Sequence, residues 1–246
     1  MLQLAICAYF AVGVLSCLGS LVLQTFFGPS AVFAHGKAAR GLAKYHFWDK
    51  FTISKQYFWH FYAVGCAASV LSLLSAINAA SFCLFFQCLR RLFECFFIMK
   101  GSSFSSMHLI HYLIGITYYP ALLLSFQFAN QHASPIYVCL FAFGSLLQFY
   151  CHCVLGQARE TLPDSHRPIN NRLFRFIHTP HYTAEIIIYS AIAGICRRHF
   201  MSQLNLLWVI SLLSVSSYNS ATWTQKQYNY KQRTDFARFL IIPMIL

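Results

Sequence analysis

The chain has 246 residues, of which 58% are hydrophobic and only 10% are charged, and its formal net charge is +12. Soluble domains carry charge on about 25% of their residues, so this composition excludes an ordinary water-exposed surface. It predicts one all-α, polytopic membrane bundle that takes in residues 1–246 as a single domain. The alternating pattern of an outer-membrane β-barrel does not occur.

Seven segments approach the roughly 20 apolar residues that a membrane-spanning helix needs. In chain order they are Leu2–Phe27, Tyr57–Ile77, Phe82–Met99, Met107–Ala129, Pro135–Leu155, Tyr182–Cys196 and Leu204–Ala221. The third carries charged residues and the sixth is short, so six spans remain an alternative to seven. The first lacks a basic N-terminal region and is long for a signal peptide, which favours a retained span.

Basic residues gather on one side of this predicted bundle. With seven spans, the opposite side carries only Arg197 and Arg198, and Arg90 and Arg91 lie inside the third segment. The basic side is therefore predicted to be cytosolic, with the N-terminus in the lumen and the C-terminus in the cytosol. Topology and anionic lipid headgroups account for the positive charge, so membrane lipids are the expected partners and nucleic acid is not.

The ten cysteines and eleven histidines do not predict a metal centre. Most cysteines lie in apolar segments, where cysteine is a small packing residue. Cys151-His152-Cys153 is similar to part of a metal site, but no second cysteine pair follows at ligand spacing. A membrane di-iron site would need denser histidine clusters with adjacent pairs. No Gly-x-Gly sequence occurs, so the glycine-rich nucleotide-binding motifs are excluded.

The third segment contains the first candidate site. Arg90 precedes Glu94 by four residues and Arg91 precedes it by three, so both arginines can reach the carboxylate along one helix face. Ionisable groups at membrane depth are unfavourable by roughly 2.5–3.5 kcal/mol and often mark functional sites. A purely structural ion pair is the alternative. Two arginines for one carboxylate leave a surplus positive charge that favours an anion.

A second candidate lies at the start of the sixth segment. His181, Glu185 and Tyr189 recur every four residues, and His181 follows Pro180 in the first helical turn, where backbone N–H groups favour phosphate. The preceding stretch Gly156–His181 is predicted to be an irregular lid. Its arginines, Arg167, Arg172 and Arg175, suit phosphate contacts. Ordinary hydrogen bonding between helices is the alternative.

Two further groups of polar residues lie where spans meet the cytosolic side. His60 is set in an aromatic run that opens the second segment, and Gln148, Tyr150 and His152 close the fifth. Aromatic residues at such an interface are expected without any function.

Several motifs, in order from about Lys50 to Leu246, resemble the polyprenol (polyprenal) reductase branch of the steroid 5α-reductase family. The motifs are Tyr57-Phe58-Trp59-His60-Phe61-Tyr62, Arg90-Arg91-Leu92-Phe93-Glu94-Cys95, His111-Tyr112-Leu113-Ile114-Gly115, Gln148-Phe149-Tyr150-Cys151-His152, Pro180-His181-Tyr182 with Glu185-Ile186-Ile187-Ile188-Tyr189, and Ile241-Ile242-Pro243. The family-like C-terminal region is placed at about 107–246.

The resemblance implies a reductase of the endoplasmic reticulum that uses NADPH to saturate the α-isoprene unit of a long-chain polyprenyl lipid, on the route to dolichol and protein N-glycosylation. It implies that NADPH contacts fall at Gln148, His152, Arg167, Arg172, His181, Glu185 and Tyr228. The catalytic candidates near the reacting end of the lipid are His60, Tyr62, Arg91 and Glu94.

The chemistry of hydride addition favours an α,β-unsaturated aldehyde over an allylic alcohol, because the aldehyde gives its β-carbon positive character. The site then needs a hydrogen-bond donor at the carbonyl oxygen and a proton for the α-carbon. His60, Tyr62 and a protonated Glu94 remain alternatives for the donor. Positions that polarise a steroid substrate in the wider family fall at Phe61 and Cys88, which disfavours a steroid. A different enoyl-lipid substrate and a non-catalytic multipass transporter or receptor are the competing interpretations.

Overall fold

The computed structural model describes residues 1–27, 51–99, 106–161, 169 and 171–228. These residues form eight α-helices: α1 (Leu2–Phe27), α2 (Trp59–Ser75), α3 (Ala79–Phe97), α4 (Leu109–Phe126), α5 (Pro135–Thr161), α6 (Arg172–Phe176), α7 (Pro180–Ile195) and α8 (Phe200–Tyr228). All but α6 overlap one of the segments predicted to span the membrane. The predicted all-α membrane bundle is confirmed.

Five stretches of the described residues are long and apolar enough to cross a membrane. They are Leu2–Leu23, Lys55–Ser75, Leu109–Phe126, Pro135–Arg159 and Phe200–Thr224. Apart from the five-residue α6, the helices outside this set are α3, which carries Arg90, Arg91 and Glu94, and α7, which has 16 residues. Seven spans therefore stays a prediction, with α3 and α7 as the two helices in question.

Side-chain caps define where α3 and α4 begin. Asn78 Oδ1 accepts a hydrogen bond from the backbone N–H of Ser81 at 2.8 Å, and His108 Nδ1 accepts from the N–H of Ile110 at 3.2 Å. Each cap satisfies an N–H group that has no partner within its helix. Pro180 opens α7, where the missing N–H of proline does no harm.

A two-stranded antiparallel ribbon, not expected from the sequence, ties the start of α2 to the start of α4. Its strands are β1 (Thr52–Ser54) and β2 (Ser106–His108), and Ile53 is paired with Met107. The ribbon holds these two helix starts side by side, at the end of the bundle for which the charge pattern predicts a cytosolic location.

Two predicted boundaries are wrong. Helix α5 continues through Thr161, so the first residues of the predicted irregular lid Gly156–His181 are helical, and α6 forms inside the same stretch. Gln, Ala, Arg and Glu follow Gly156, and all four are good helix formers. Likewise, α8 extends beyond the predicted end at Ala221 and reaches Tyr228.

The helices pack as two connected groups. In one, α2 contacts both α3 and α4; in the other, α5 lies along α7, α7 contacts α8, and α8 packs against α1. Helix α3 also reaches α5 and α7. The second half of α3 therefore lies where the two groups meet, and the polar residues of the bundle collect there.

Candidate active site

Glu94 is the centre of a buried ionic cluster. Its side chain is fully buried, and its two carboxylate oxygens form ion pairs with Arg90 Nη1 and Arg91 Nη1. His152 Nδ1, from α5, lies 2.7 Å from Glu94 Oε2. The predicted convergence of both arginines on Glu94 is present, and α5 adds a third partner that the helix spacing does not reveal.

Tyr62, from α2, lies against the guanidinium group of Arg91. Arg91 Nε and Nη2 donate to the Tyr62 hydroxyl oxygen at 3.2 and 3.0 Å, and Arg91 Cζ lies 4.9 Å from the centre of the tyrosine ring. Because the oxygen accepts both hydrogen bonds, the O–H proton of Tyr62 is left to donate elsewhere. A nearby positive charge also stabilises negative charge at this oxygen.

A chain of side-chain amides links this cluster to α7. Gln87 and Arg90 on α3 both donate to Gln148 Oε1 on α5, and the Gln87 contact measures 3.1 Å. Gln148 Nε2 in turn donates to Glu185 Oε2 on α7 at 3.2 Å. Predicted catalytic and cofactor-binding residues thus belong to one connected network across three helices.

A second carboxyl group lies near the two arginines of α3. Glu185 lies near enough to interact electrostatically with both Arg90 and Arg91. Glu185 thus brings a second carboxyl group near the two arginines, from a helix that is remote in sequence.

His152 makes two contacts that one ring nitrogen cannot both satisfy as hydrogen bonds. Nδ1 lies 2.7 Å from Arg91 Nη1, which only donates, and 2.7 Å from Glu94 Oε2, which only accepts. Since Arg91 Nη1 already donates to that same carboxylate oxygen, we assign the His152 proton to Nδ1, where it donates to Glu94. In the neutral ring Nε2 is then a hydrogen-bond acceptor.

His181 sits beside His152 at the same end of the bundle. The two ring centres are 5.7 Å apart, and the ring of Phe174, on α6, stacks on His181 with an interplanar angle of 26°. His181 Nδ1 is buried and has no hydrogen-bond partner among the described residues. Burial lowers the pKa of His178, in the turn before α7, so at neutral pH that histidine adds no charge here.

Some predicted site residues do not join the cluster. His60 lies on α2 but bonds to the hydroxyl of Tyr112 on α4, with His60 Nδ1 2.8 Å from the oxygen. Two residues apart on a helix, His60 and Tyr62 point in different directions. Arg172 is exposed on α6. Arg167 and the side chain of Tyr228 lie outside what the structure describes.

Sequence reasoning did not select Gln87 or Asn171. Gln87 precedes Arg90 and Arg91 by three and four residues, so the helical spacing that singled out Glu94 also pointed to it. Asn171 Oδ1 caps α6 by accepting from the N–H of Leu173 at 3.0 Å, while its Nδ2 donates to the Tyr150 hydroxyl at 2.9 Å. That link between α6 and α5 has no signal in a single sequence.

Metal ligation has no geometric support in the part of the chain that the structure describes. No group of three or more histidine, cysteine, aspartate or glutamate side chains in those residues is arranged to hold a metal ion. Within Cys151-His152-Cys153, His152 Nδ1 lies 2.7 Å from Glu94 Oε2.

Comparison with known families identifies the chain. Residues 71–246 match the family described as 3-oxo-5-alpha-steroid 4-dehydrogenase. The chain belongs to this family of oxidoreductases. The match includes every helix that contributes to the ionic cluster except most of α2, and it confirms the predicted family and the reductase class.

Individual relatives carry a more specific name. A protein of Saccharomyces cerevisiae named polyprenal reductase is 32% identical over 209 residues, which is 80% of this chain and 76% of the relative. Polyprenal reductases of Xenopus tropicalis and Homo sapiens are 26% and 25% identical, and the alignments include 74% and 67% of this chain and 75% and 68% of the respective relative. The similarity therefore extends over most of this chain and most of each relative.

Proposed function

We propose that this protein reduces the double bond of the α-isoprene unit of a long-chain polyprenal, with NADPH as the reductant. The observation that carries the proposal is the buried network of Tyr62, Arg91, Glu94, Gln148 and Glu185 in a chain whose relatives are polyprenal reductases. A lipid aldehyde reaches such a site from the bilayer, and the polar network receives its reactive end.

The polar residues around the start of α7 form a suitable binding site for NADPH. His181 Nδ1 is buried without a described partner, and its ring centre lies 5.7 Å from that of His152. Glu185 follows His181 by about one turn of α7 and accepts a hydrogen bond from Gln148. An unsatisfied buried polar atom is unfavourable unless a ligand completes it. Family resemblance adds Arg167, Arg172 and Tyr228. When bound, NADPH supplies the hydride for the β-carbon of the unsaturated aldehyde.

Tyr62 is our choice for the donor to the carbonyl oxygen. Addition at the β-carbon shifts the double-bond electrons towards that oxygen, and a donor aimed there stabilises the negative charge. Tyr62 has a hydroxyl proton to give and a guanidinium group, Arg91, against its oxygen. The α-carbon then takes a proton, which restores the carbonyl in the saturated product.

The other two candidates for this donor are weaker on the geometry. Glu94 is held between Arg90 and Arg91 and accepts from His152, so it is a carboxylate with no proton to donate. His60 is engaged with Tyr112 on a different side of α2. Glu94 instead keeps Arg91 in place against Tyr62.

A steroid substrate is the alternative within the family. The two positions that would polarise a steroid carbonyl hold Phe61 and Cys88, both buried in the apolar core. Neither side chain offers a strong hydrogen-bond donor. A lipid aldehyde that meets Tyr62 instead agrees better with these residues.

The proposal includes a location and an orientation. Named relatives act on polyprenal, so we place the protein in the endoplasmic reticulum membrane, where reduced polyprenol supports protein N-glycosylation. The excess of basic residues on one side supports a cytosolic C-terminus. A glycosylation acceptor appended to the C-terminus should stay unmodified, and its modification would contradict this orientation.

The decisive experiment is turnover by purified protein in detergent. Polyprenal and NADPH carrying deuterium at the transferable position are incubated with the protein, and the lipid is analysed by mass spectrometry. We expect a gain of two hydrogens, one of them deuterium at the β-carbon. The matched incubation with polyprenol tests the preference for the aldehyde. No reduction of either lipid, in protein that is folded and binds NADP⁺, would refute the proposal.

Cofactor preference gives a second test of the same proposal. The basic residues Arg167, Arg172 and Arg175 suit the 2′-phosphate that distinguishes NADPH from NADH. Arg167→Ala should raise the KM for NADPH more than the KM for polyprenal. Equal use of NADPH and NADH by the wild type would contradict this charge argument.

A further inference from the structure

Gln87 lies within α3 and is almost completely buried. A primary amide at such a position offers two donor hydrogens and an acceptor oxygen, each of which is unfavourable in an apolar interior without a partner. The described partners of Gln87 are Arg90 on the same helix and Gln148 on α5. Gln87 is therefore placed between the ionic cluster and the proposed cofactor site.

The hydrogen bonds around Gln87 run in one direction. Gln87 Oε1 accepts from Arg90 Nη2 at 2.8 Å, so the amide nitrogen of Gln87 faces Gln148 Oε1, to which it donates at 3.1 Å. Arg90 Nη2 donates to the same Gln148 oxygen. With its oxygen held by two donors, Gln148 turns its own amide nitrogen to Glu185, 3.2 Å away.

The reversed orientation of Gln148 would be unfavourable at both ends. A flipped amide would point its NH₂ group at the donors of Gln87 and Arg90, and its oxygen at the carboxylate of Glu185. Gln87 and Arg90 together thus determine which atom Glu185 meets. Of these two, only Gln87 is neutral, so its effect can be measured without removing a charge.

We infer that Gln87 is a positioning residue for cofactor binding: through Gln148 it fixes the Glu185 carboxylate at the proposed NADPH site. The inference rests on the proposed function, because that function assigns Gln148 and Glu185 to NADPH. Gln87 itself touches neither the lipid nor the cofactor. A merely structural Gln87, which only joins α3 to α5, would affect stability and leave cofactor affinity unchanged.

The test compares Gln87→Leu with a matched change elsewhere on α3. Ser81→Ala removes another buried polar group, whose hydroxyl lies 2.9 Å from that of Ser72 on α2. Both variants should lower the melting temperature. Only Gln87→Leu should raise the Kd for NADP⁺, by about tenfold, the effect of losing a hydrogen bond that orients a charged group. Its KM for NADPH should rise in parallel, with kcat nearly unchanged.

A double-mutant cycle with Glu185→Gln separates positioning from general damage. If Gln87 acts through Gln148 on the Glu185 carboxylate, Gln87→Leu should change NADP⁺ affinity little in the Glu185→Gln background. Gln87→Glu serves if the leucine variant does not fold. It keeps volume and the acceptor for Arg90, lacks the donor to Gln148, and should weaken NADP⁺ binding as well.

The inference would be overturned if Gln87→Leu and Gln87→Glu both bound NADP⁺ with wild-type affinity. It would also be overturned if the effects of Gln87→Leu and Glu185→Gln on NADP⁺ affinity were fully additive. Wild-type protein that binds NADP⁺ yet does not reduce polyprenal would contradict the proposed function alone, because the Kd comparison would still decide the role of Gln87. Wild-type protein that binds no NADP⁺ would contradict both.

Discussion

The chain contains two Arg-Arg dipeptides, and they lie in contrasting environments. Arg90 and Arg91 lie within α3. Their guanidinium groups contact Glu94 and Gln87 on the same helix and Tyr62 on α2. Arg197 and Arg198 follow α7 and are exposed. The same dipeptide therefore serves as a buried charge centre in one region and as part of a solvent-facing turn in the other.

The difference lies in the residues around each pair. Buried arginines are tolerated because acceptors follow at helical spacing, and because Gln148 and Glu185 approach from other helices. The exposed pair needs no such partners, since water solvates both side chains. If this contrast is functional, changes around Arg90 and Arg91 should affect turnover, and changes around Arg197 should affect stability at most.

The largest effect is expected from Glu94→Gln. This change keeps the shape of the side chain but removes the charge that holds two guanidinium groups and the His152 N–H. We expect polyprenal reduction to fall by about 100-fold or more, and the free energy of unfolding to fall by about 3–5 kcal/mol, as for a broken buried ion pair. Arg91 and Arg90 keep neutral acceptors in Tyr62 and Gln148, so folded protein should still be recovered in detergent.

The measurements are turnover per monodisperse protein and thermal unfolding. As a control, Arg197→Gln with Arg198→Gln removes two charges at the exposed turn and should change the free energy of unfolding by less than about 0.5 kcal/mol. Normal turnover by folded Glu94→Gln protein would contradict the role of Glu94 in keeping Arg91 in place against Tyr62.

Removal of the Tyr62 hydroxyl tests the proposed mechanism more specifically. Tyr62→Phe should lower kcat by about 100-fold without weakening NADP⁺ binding, because it removes only the donor proposed for the carbonyl oxygen. Tyr9→Phe is the matched control, since the Tyr9 hydroxyl on α1 lies 3.0 Å from the hydroxyl of Thr117 on α4. That variant should lose about 1 kcal/mol of stability and keep its turnover. Equal losses of kcat in both variants would refute a special role for Tyr62.

Sequence reasoning reached the fold and part of this site, for identifiable reasons. Arg90, Arg91 and Glu94 share one helix, so their spacing alone predicts contact. The pairing of Gln148 with Gln87 depends on how α3 and α5 pack, which a single sequence does not specify. His60 and Tyr62 are both candidates from one family-like motif, but a separation of two residues on a helix turns their side chains apart.

Two glycines, one of them close to Arg197 and Arg198, test how tightly the helices pack. A Cβ atom added at Gly194, in the last turn of α7, would overlap the ring of Tyr137 on α5, whereas at Gly19 on α1 it would meet nothing within 4 Å. Gly194→Ala should therefore destabilise the protein by about 1–3 kcal/mol through overpacking. Gly19→Ala should be neutral or stabilise it by up to about 1 kcal/mol, since alanine favours a helix. Thermal unfolding of both variants measures the difference, and turnover per folded protein should stay at the wild-type level.

The smallest effect on stability is expected at Arg197, where we expect the backbone conformation, and not the side-chain charge, to limit stability. Arg197 has a φ of 47°, in the left-handed region. The N–H of Arg198 bonds to the carbonyl of Ala193, and that of Arg197 to the carbonyl of Gly194, the pattern of a helix end that prefers glycine at position 197. Arg197→Gly should therefore raise the free energy of unfolding by up to about 1 kcal/mol, because glycine avoids the strain that a Cβ atom brings. Arg197→Ala removes the same charge but keeps the Cβ atom, so it should give no gain. A similar gain in both variants would show that charge, rather than backbone conformation, limits stability at this turn.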